Sequence, residues 1–451
     1  MKKIGPPAEA LAKAGELRKK YPEFIYKGYL YELKNGDLHI SFDFEIGAIK
    51  FRPRVVIKNV SQADLKRVGE GALQNLVFHL GLAEMPSYWK ATASPKIVIE
   101  AGSLNKAQIK WWHGLFMRGM GQYFYENKID FTKPNFLKIE VSPYSGIRGN
   151  KEIVIFPKKG KNRVLLPIGG GKDAIVTYEV LKQADQNIRP FILNPKKEQL
   201  AILRIADEKN PVIVQRTIDP ELLELKRKGY LNGHTPFSSY VAFLTTLCAA
   251  LFGYKYIALS NERSSNEGNV PYLGHVINHQ YSKTFDFEKK FRAYSKKYLA
   301  KNVEYFSFLR PLYELQIARI FAKFPKYFPV FLSCNEAHKT NSGTQKPTGK
   351  WCGKCAKCIF VFLALYPFAP QQTIGIFKKD LLKDKTLRPL LEKLTGKRSF
   401  KPFECVGTIK ETRAALSLCL GKIKDHKALH AWNNRHFLPP QFSKLLKRAI
   451  L

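Results

Sequence analysis

The 451-residue chain is short of acid: 37 Asp and Glu stand against 75 Lys and Arg, a formal charge of +38. An excess of that size repels itself in a compact fold, so anionic partners are expected, and nucleotides, polyanionic metabolites and nucleic acid all qualify. A long basic arm is missing. The positive residues are scattered in short runs such as 18–20, 158–161, 289–290 and 296–297, so nucleic acid is not the favoured partner. Cysteine is scarce as well: seven residues, an odd number, exclude a small disulfide scaffold and point to a reducing compartment. Long apolar runs are absent too. The uncharged stretches 236–254 and 359–377 are interrupted by hydroxyl residues, glycine, proline or glutamine and fall short of the ~20 predominantly apolar residues of a membrane span. No apolar segment follows Met1-Lys2-Lys3 to act as a signal peptide, so a cytoplasmic protein without a membrane partner is expected.

What is present is the composition of an ordinary folded protein, with 45% hydrophobic, 13% aromatic and 25% charged residues. The length suits two or three domains of ~100–200 residues. Residues 24–33, a turn at Asn35-Gly36-Asp37 and residues 38–42 read as a hairpin, and 73–82 as a buried helix. After about residue 160 the rhythm changes. Apolar runs at 164–168, 190–193, 211–214 and 256–259 alternate with helical segments at 174–182, 197–207 and 238–252, which predicts βαβ units around a parallel sheet. Ligands of such sheets sit at the carboxyl ends of the strands, where a glycine loop, Asn194, Arg216 and Ser260-Asn261-Glu262 would converge.

Two motifs carry chemistry. Gly169-Gly170-Gly171-Lys172-Asp173 lies between a predicted strand and helix, where glycines let backbone N–H groups close around a phosphate. Asp173 excludes a Walker A loop and Ala174 a dinucleotide fingerprint, and a glycine turn without a ligand is the plain alternative. Cys334, Cys352, Cys355 and Cys358 form C-x17-C-x2-C-x2-C, which suits closed tetrahedral zinc. An iron–sulfur cluster or unligated thiols stay open as readings. Cys248, on an apolar helix, reads as core. Between the motifs, residues 232–288 crowd polar groups, and this block is the candidate for substrate binding and proton transfer. Within it His275 and His279 would share a face if helical.

Gly170, Gly171, Lys172 and Asp173 resemble the G-G-x-D of the S-G-G-x-D-S loop in PP-loop ATP pyrophosphatases, with Gly169 and Ala174 in place of the serines. The blocks Gly229-Tyr230-Leu231-Asn232-Gly233-His234-Thr235-Pro236-Phe237, Asn266-Glu267-Gly268-Asn269 and Asn278-His279-Gln280-Tyr281-Ser282-Lys283 add to this. So do Trp351-Cys352-Gly353-Lys354-Cys355 and Lys401-Pro402-Phe403-Glu404-Cys405-Val406-Gly407-Thr408. Together, from about residue 160 to 420, the chain resembles the MurL family, bacterial UDP-N-acetylmuramoyl-L-alanyl-L-glutamate epimerases of peptidoglycan synthesis.

The resemblance implies an α/β protein with a parallel-sheet PP-loop core, similar to the adenine nucleotide alpha hydrolases. An N-terminal α+β accessory domain would span 1–155, the ATP-binding catalytic domain 156–370 with a zinc knuckle at 334–358, and a helical C-terminal region 371–451. It implies an isomerase that uses ATP and Mg2+, carries structural Zn2+, and turns the terminal L-glutamate of a UDP-linked muramoyl dipeptide into D-glutamate through an acyl-adenylate. AMP and pyrophosphate would be released, and a ligase that adds L-glutamate would supply the substrate. ATP would meet Gly169, Gly170, Gly171, Lys172, Asp173, Asn194, Ser260, Asn261 and Glu262, with Asp173 on magnesium. Substrate would meet Arg216, His234, Arg263, Asn266, Glu267 and Asn269, although surface salt bridges explain Arg216 and Arg263 equally well. Proton transfer falls to His275, His279, Lys283, Glu404 and Cys405. Two rivals stand beside this reading: a PP-loop enzyme acting on a deazapurine or tRNA base, and a non-catalytic basic nucleic-acid-binding protein with a zinc knuckle.

Overall fold

The computed structural model describes residues 8–143, 152–155, 163–338, 348–398 and 400–450, so the basic run at 158–161 lies outside the described residues. The expected hairpin is formed by β1 (Glu23–Lys34) and β2 (Asp37–Ile46), which pair antiparallel and alternate buried with more exposed side chains. Asn35 and Gly36 both take positive φ, 52° and 76°, the geometry that matches a two-residue turn to strand twist. Short strands β3 (Ile49–Phe51) and β4 (Arg54–Ile57) come next, then the helix Glu70–Trp89, buried on nearly every side, and strands β5 (Lys96–Ile99) and β6 (Lys138–Val141).

The second half brings β7 (Val164–Pro167), β8 (Ile188–Leu193), β9 (Val212–Thr217) and β10 (Tyr256–Leu259), all at the predicted places. A small separate hairpin, β11 (Val270–Tyr272) with β12 (His275–Ile277), and then β13 (Glu304–Ser307) complete the strands. The main sheet runs β13-β10-β7-β8-β9-β4-β2-β1-β5-β6, with β3 beside β2. Its first five strands are parallel. β9 pairs antiparallel with β4, so the part expected as an accessory domain at 1–155 shares one continuous sheet with the strands of the second half.

Core packing arises from strand periodicity. Leu165 of β7 points into one hydrophobic core, and its neighbours Val164 and Leu166 point into the other. The helix Phe237–Phe252, with Cys248 fully buried, fills the first core, and the helices Lys172–Lys182, Glu314–Ala322 and Ala356–Leu365 fill the second. The stretch 236–254 is thus an internal helix, 359–377 divides between the buried helix ending at Leu365 and a partly exposed helix Pro370–Phe377, and no helix among the described residues is long and apolar enough to cross a membrane. The condition for a shared face of His275 and His279 is not met. Leu273 and Gly274 take φ of 51° and 82° and reverse the chain, so His275 lies exposed on β12 while His279 is buried in the loop beyond, and the two share no helical face.

Candidate active site

In the parallel part of the sheet the strand order is β9-β8-β7-β10-β13, so the chain winds outward in opposite directions from β7 and β10. The crevice between their carboxyl ends is the switch point where such sheets bind ligands. A cleft of about 530 Å³ opens there, lined by the glycine loop, Asn194, Ser260, Asn261 and Glu262, as the strand pattern predicts. Among the lining residues without a sequence signal as site residues are Glu314, at the start of its helix, and Lys357, inside the cysteine cluster.

The glycine loop is pinned from one side and open on another. Leu332 N–H donates to the Gly170 carbonyl at 2.8 Å, and a Cβ on Gly170 would meet Leu332 O at 3.2 Å and Glu198 Cγ at 3.0 Å. Gly169 has nothing within 4 Å of a Cβ and lines the cleft. Gly170 has φ +86°, so Gly170→Ala combines left-handed strain with this contact. It is expected to lower stability by about 1–3 kcal/mol in urea denaturation.

Behind the loop Asp173, Glu262 and Glu314 bring carboxylate oxygens within 4.8 Å of one another. Lys172, almost wholly buried, bonds both Asp173 and Glu314 rather than facing the cleft. Burial opposes the Lys172 charge, but the two carboxylates outweigh it and raise its pKa. Burial likewise works against ionised Asp173, yet Lys172, Lys357 and Lys283 hold its pKa below the ordinary value. For Glu262 the balance tips the other way: burial, with Glu314 and Asp173 adding repulsion, outweighs Lys283 and Arg310 and pushes it up to about 7. Arg310, fully buried against Glu288, donates to the carbonyls of Glu262 (2.6 Å) and Lys283 (2.5 Å) and so ties together two chain segments that line the cleft.

Across the cleft Cys405 Sγ lies 3.3 Å from Lys283 Nζ and 3.8 Å from His279 Nε2. The amide of Asn269 donates to Pro402 O at 2.7 Å, which aims its oxygen at His279 N–H and Nδ1, both 3.1 Å away. His279 therefore donates from Nδ1 and keeps the Nε2 lone pair for Cys405. Burial foremost, then His234 and Lys283, hold its pKa down to about 2, so it is neutral. His234 packs against it with ring centroids 5.8 Å apart, and burial lowers its pKa to about 4.

Other predicted site residues lie elsewhere. Arg216 lines the cleft but is neither a free clamp nor a surface salt bridge: it bonds Glu84, fully buried, with Nε 2.8 Å from Oε2, and stacks on Tyr240. Asn194 binds the Arg216 backbone on both sides, accepting at 2.6 Å and donating at 2.9 Å. Arg263 sits over the Tyr313 ring, Asn266 caps Phe285, and Glu267 meets Lys401 at 3.1 Å. None of these three lines the cleft, nor does His275, which packs on Phe131. Glu404 accepts from Asn335, a residue of the cleft lining, at 2.6 Å.

The four cysteines gather as their spacing predicts. Sγ atoms stand 3.8 Å apart for Cys334–Cys355, 3.6 Å for Cys352–Cys358 and 3.5 Å for Cys355–Cys358, and none is in a disulfide. Sulfurs ~2.3 Å from one tetrahedral ion would be about 3.8 Å apart, so the donor set fits a single metal.

Buried neutral histidines also set an acid limit on the fold. His79, in the core between Asn75 O and Tyr294 Oη, is lowered by burial to about 4, as is His234. Unfolding lets each take up a proton near pH 6.5, so their contribution is complete above 6.5 and is lost as pH falls toward 4. Between pH 7 and 5 each is expected to remove about 2 kcal/mol from the unfolding free energy, and His79→Gln to remove its own share of that dependence.

Comparison with known proteins adds the family. A family model described as the MurL N-terminal domain matches residues 16–308, and one described as the MurL C-terminal domain matches 330–437. The UDP-N-acetyl-alpha-D-muramoyl-L-alanyl-L-glutamate epimerases of Micromonospora sp. and Salinispora tropica are 36% and 35% identical to the chain. Each match covers 74% of this chain, and respectively 72% and 70% of the relative. The enzyme of that name from Xanthomonas oryzae pv. oryzae is 34% identical over 77% of this chain and 75% of its own length. The chain belongs to the MurL family and is an epimerase.

Proposed function

We propose that this epimerase inverts the terminal glutamate of UDP-N-acetylmuramoyl-L-alanyl-L-glutamate for peptidoglycan synthesis, with ATP and Mg2+ as co-reactants. One observation carries the reading: the glycine loop and the Lys283–Cys405 pair, with His279 behind it, open onto the same cleft. A free carboxylate resists loss of the neighbouring α-proton because the carbanion adds charge beside charge. Attack of that carboxylate on the α-phosphorus of ATP, with pyrophosphate leaving, gives an acyl-adenylate whose neutral carbonyl delocalises the carbanion. The proton then leaves one face and returns on the other, and water cleaves the mixed anhydride to D-glutamate and AMP.

Residues of the chain divide these tasks. Backbone N–H groups at 169–172 would hold phosphate, and the Ser260 hydroxyl, buried without a hydrogen-bond partner among the described residues, is left for a ligand. Asp173, with Glu262 and Glu314 beside it, offers the hard oxygen ligands that suit Mg2+, whose charge would offset that of the leaving pyrophosphate. The Lys283 ammonium favours the thiolate form of Cys405, neutral His279 orients the sulfur through its Nε2, and the thiolate exchanges the α-proton on one face of the substrate. Zn2+ in the cysteine cluster would be structural, because four thiolates leave no open position. The sulfur spacing supports one ion rather than a cluster of irons and sulfides.

The test is incubation of the protein with ATP, Mg2+ and the dipeptide ligand, monitoring pyrophosphate and glutamate chirality. Pyrophosphate with D-glutamate is the expected result. Pyrophosphate formed only with another carboxylic acid would discard the substrate.

A further inference from the structure

Lys357 is placed where its charge is least welcome. It lies between Cys355 and Cys358 in the first turn of the helix Ala356–Leu365 and is 6% exposed. A cation there meets the positive end of the helix dipole, and burial strips its hydration. Among the described residues it forms no salt bridge, and its ammonium bonds the Cys405 carbonyl. Its charge helps to keep Asp173 ionised, yet no carboxylate is bonded to it among the described residues. The side chain lines the cleft, as does Lys283, whose ammonium bonds the thiol of the same Cys405. Two ammonium groups without a salt bridge among the described residues thus meet at one residue of the cleft wall.

We propose that Lys357, aimed by the cysteine knuckle, and Lys283 together form the site that binds the side-chain carboxylate of the substrate's terminal glutamate. This rests on the function proposed above. Once the α-carboxyl is adenylated, the side-chain carboxylate is the remaining charge on the glutamyl residue. A grip on it keeps that residue in place while Cα turns planar, and fixes rotation about Cα–Cβ so that the Cα–H bond faces Cys405. The nucleotide is served by the backbone of the glycine loop and by Asp173, so the two ammonium groups beside the thiol match the acid. The knuckle then has a specific task, since Cys355 and Cys358 hold the backbone on either side of Lys357.

The experiment is calorimetric titration of wild type, K357M, K357R and K283M, each with its zinc content measured. The ligands are UDP-N-acetylmuramoyl-L-alanyl-L-glutamate, UDP-N-acetylmuramoyl-L-alanine and ATP with Mg2+. A charge-assisted hydrogen bond worth about 1.5–3 kcal/mol corresponds to roughly a 10- to 100-fold loss of affinity. That loss is expected in K357M for the glutamyl ligand alone, with zinc, ATP and the alanine ligand unchanged, and K357R is expected to recover most of it. K283M, distant in sequence from the cysteines, is expected to repeat the pattern. Wild-type discrimination between the two UDP ligands in K357M or K283M overturns the proposal, and so does a loss that falls on ATP. If the wild-type protein itself does not distinguish the two UDP ligands, the substrate reading fails instead.

Discussion

Cys405→Ala is expected to slow D-glutamate formation by about 10²- to 10⁴-fold while leaving pyrophosphate release in place. The thiol stands in a relay, with His279 Nε2 at 3.8 Å and Lys283 Nζ at 3.3 Å, and nothing in that relay touches the glycine loop that would hold the nucleotide. Adenylation and proton exchange are therefore separable. His279→Gln keeps a side chain able to bond Asn269 but removes the lone pair aimed at sulfur, so it is expected to fall toward the alanine variant. The measurement is solvent deuterium incorporated at the glutamyl α-carbon, compared with pyrophosphate released in the same samples. Wild-type deuterium incorporation in Cys405→Ala would remove the thiol from proton transfer.

Removing metal from the cysteine cluster, by chelation or by Cys358→Ser, is expected to be the most destabilising change. Structural zinc contributes ~10–16 kcal/mol of apparent binding free energy in small zinc domains at neutral pH. In a chain of this length each kcal/mol corresponds to about 1 °C of melting temperature, so the full amount corresponds to a fall on the order of 10 °C. The effect should reach the cleft as well. Leu332 bonds Gly170, and Ser333 stands 3.3 Å from where a Gly171 Cβ would lie, immediately before Cys334, so loosening the cluster loosens the wall behind the loop. Zinc analysis should return about one ion per chain with intact cysteines. A preparation that holds no metal yet melts unchanged and still turns over would show the thiols to be inert.

Much of the cleft was legible in the sequence because its signals are local. Strand, glycine loop and helix are consecutive, and the loop's backbone geometry comes from residues that lack a Cβ. The cysteine spacing carries its own geometry too. Glu314 and Lys357 were missed because neither differs locally from a surface residue, and both reach the cleft through helices packed in the second core. His275 and His279 part for a related reason: their spacing would give a shared face only in a helix, and 275–277 is instead paired as strand β12. Arg216 looked like a free cation because its partner, Glu84, lies on a helix far away in the chain.

By itself, then, the sequence determined the first hairpin, the strand–helix order after about residue 160, the glycine loop at a strand end, the four-cysteine set and the family resemblance, all of which arise from neighbouring residues or fixed motifs. Tertiary structure decided that β4 pairs with β9 to join both halves in one sheet, and which charges are spent internally. It also decided which polar groups meet at Cys405. Those outcomes depend on pairing and burial between distant segments, where desolvation and the partner on offer, rather than residue type, set what each side chain does.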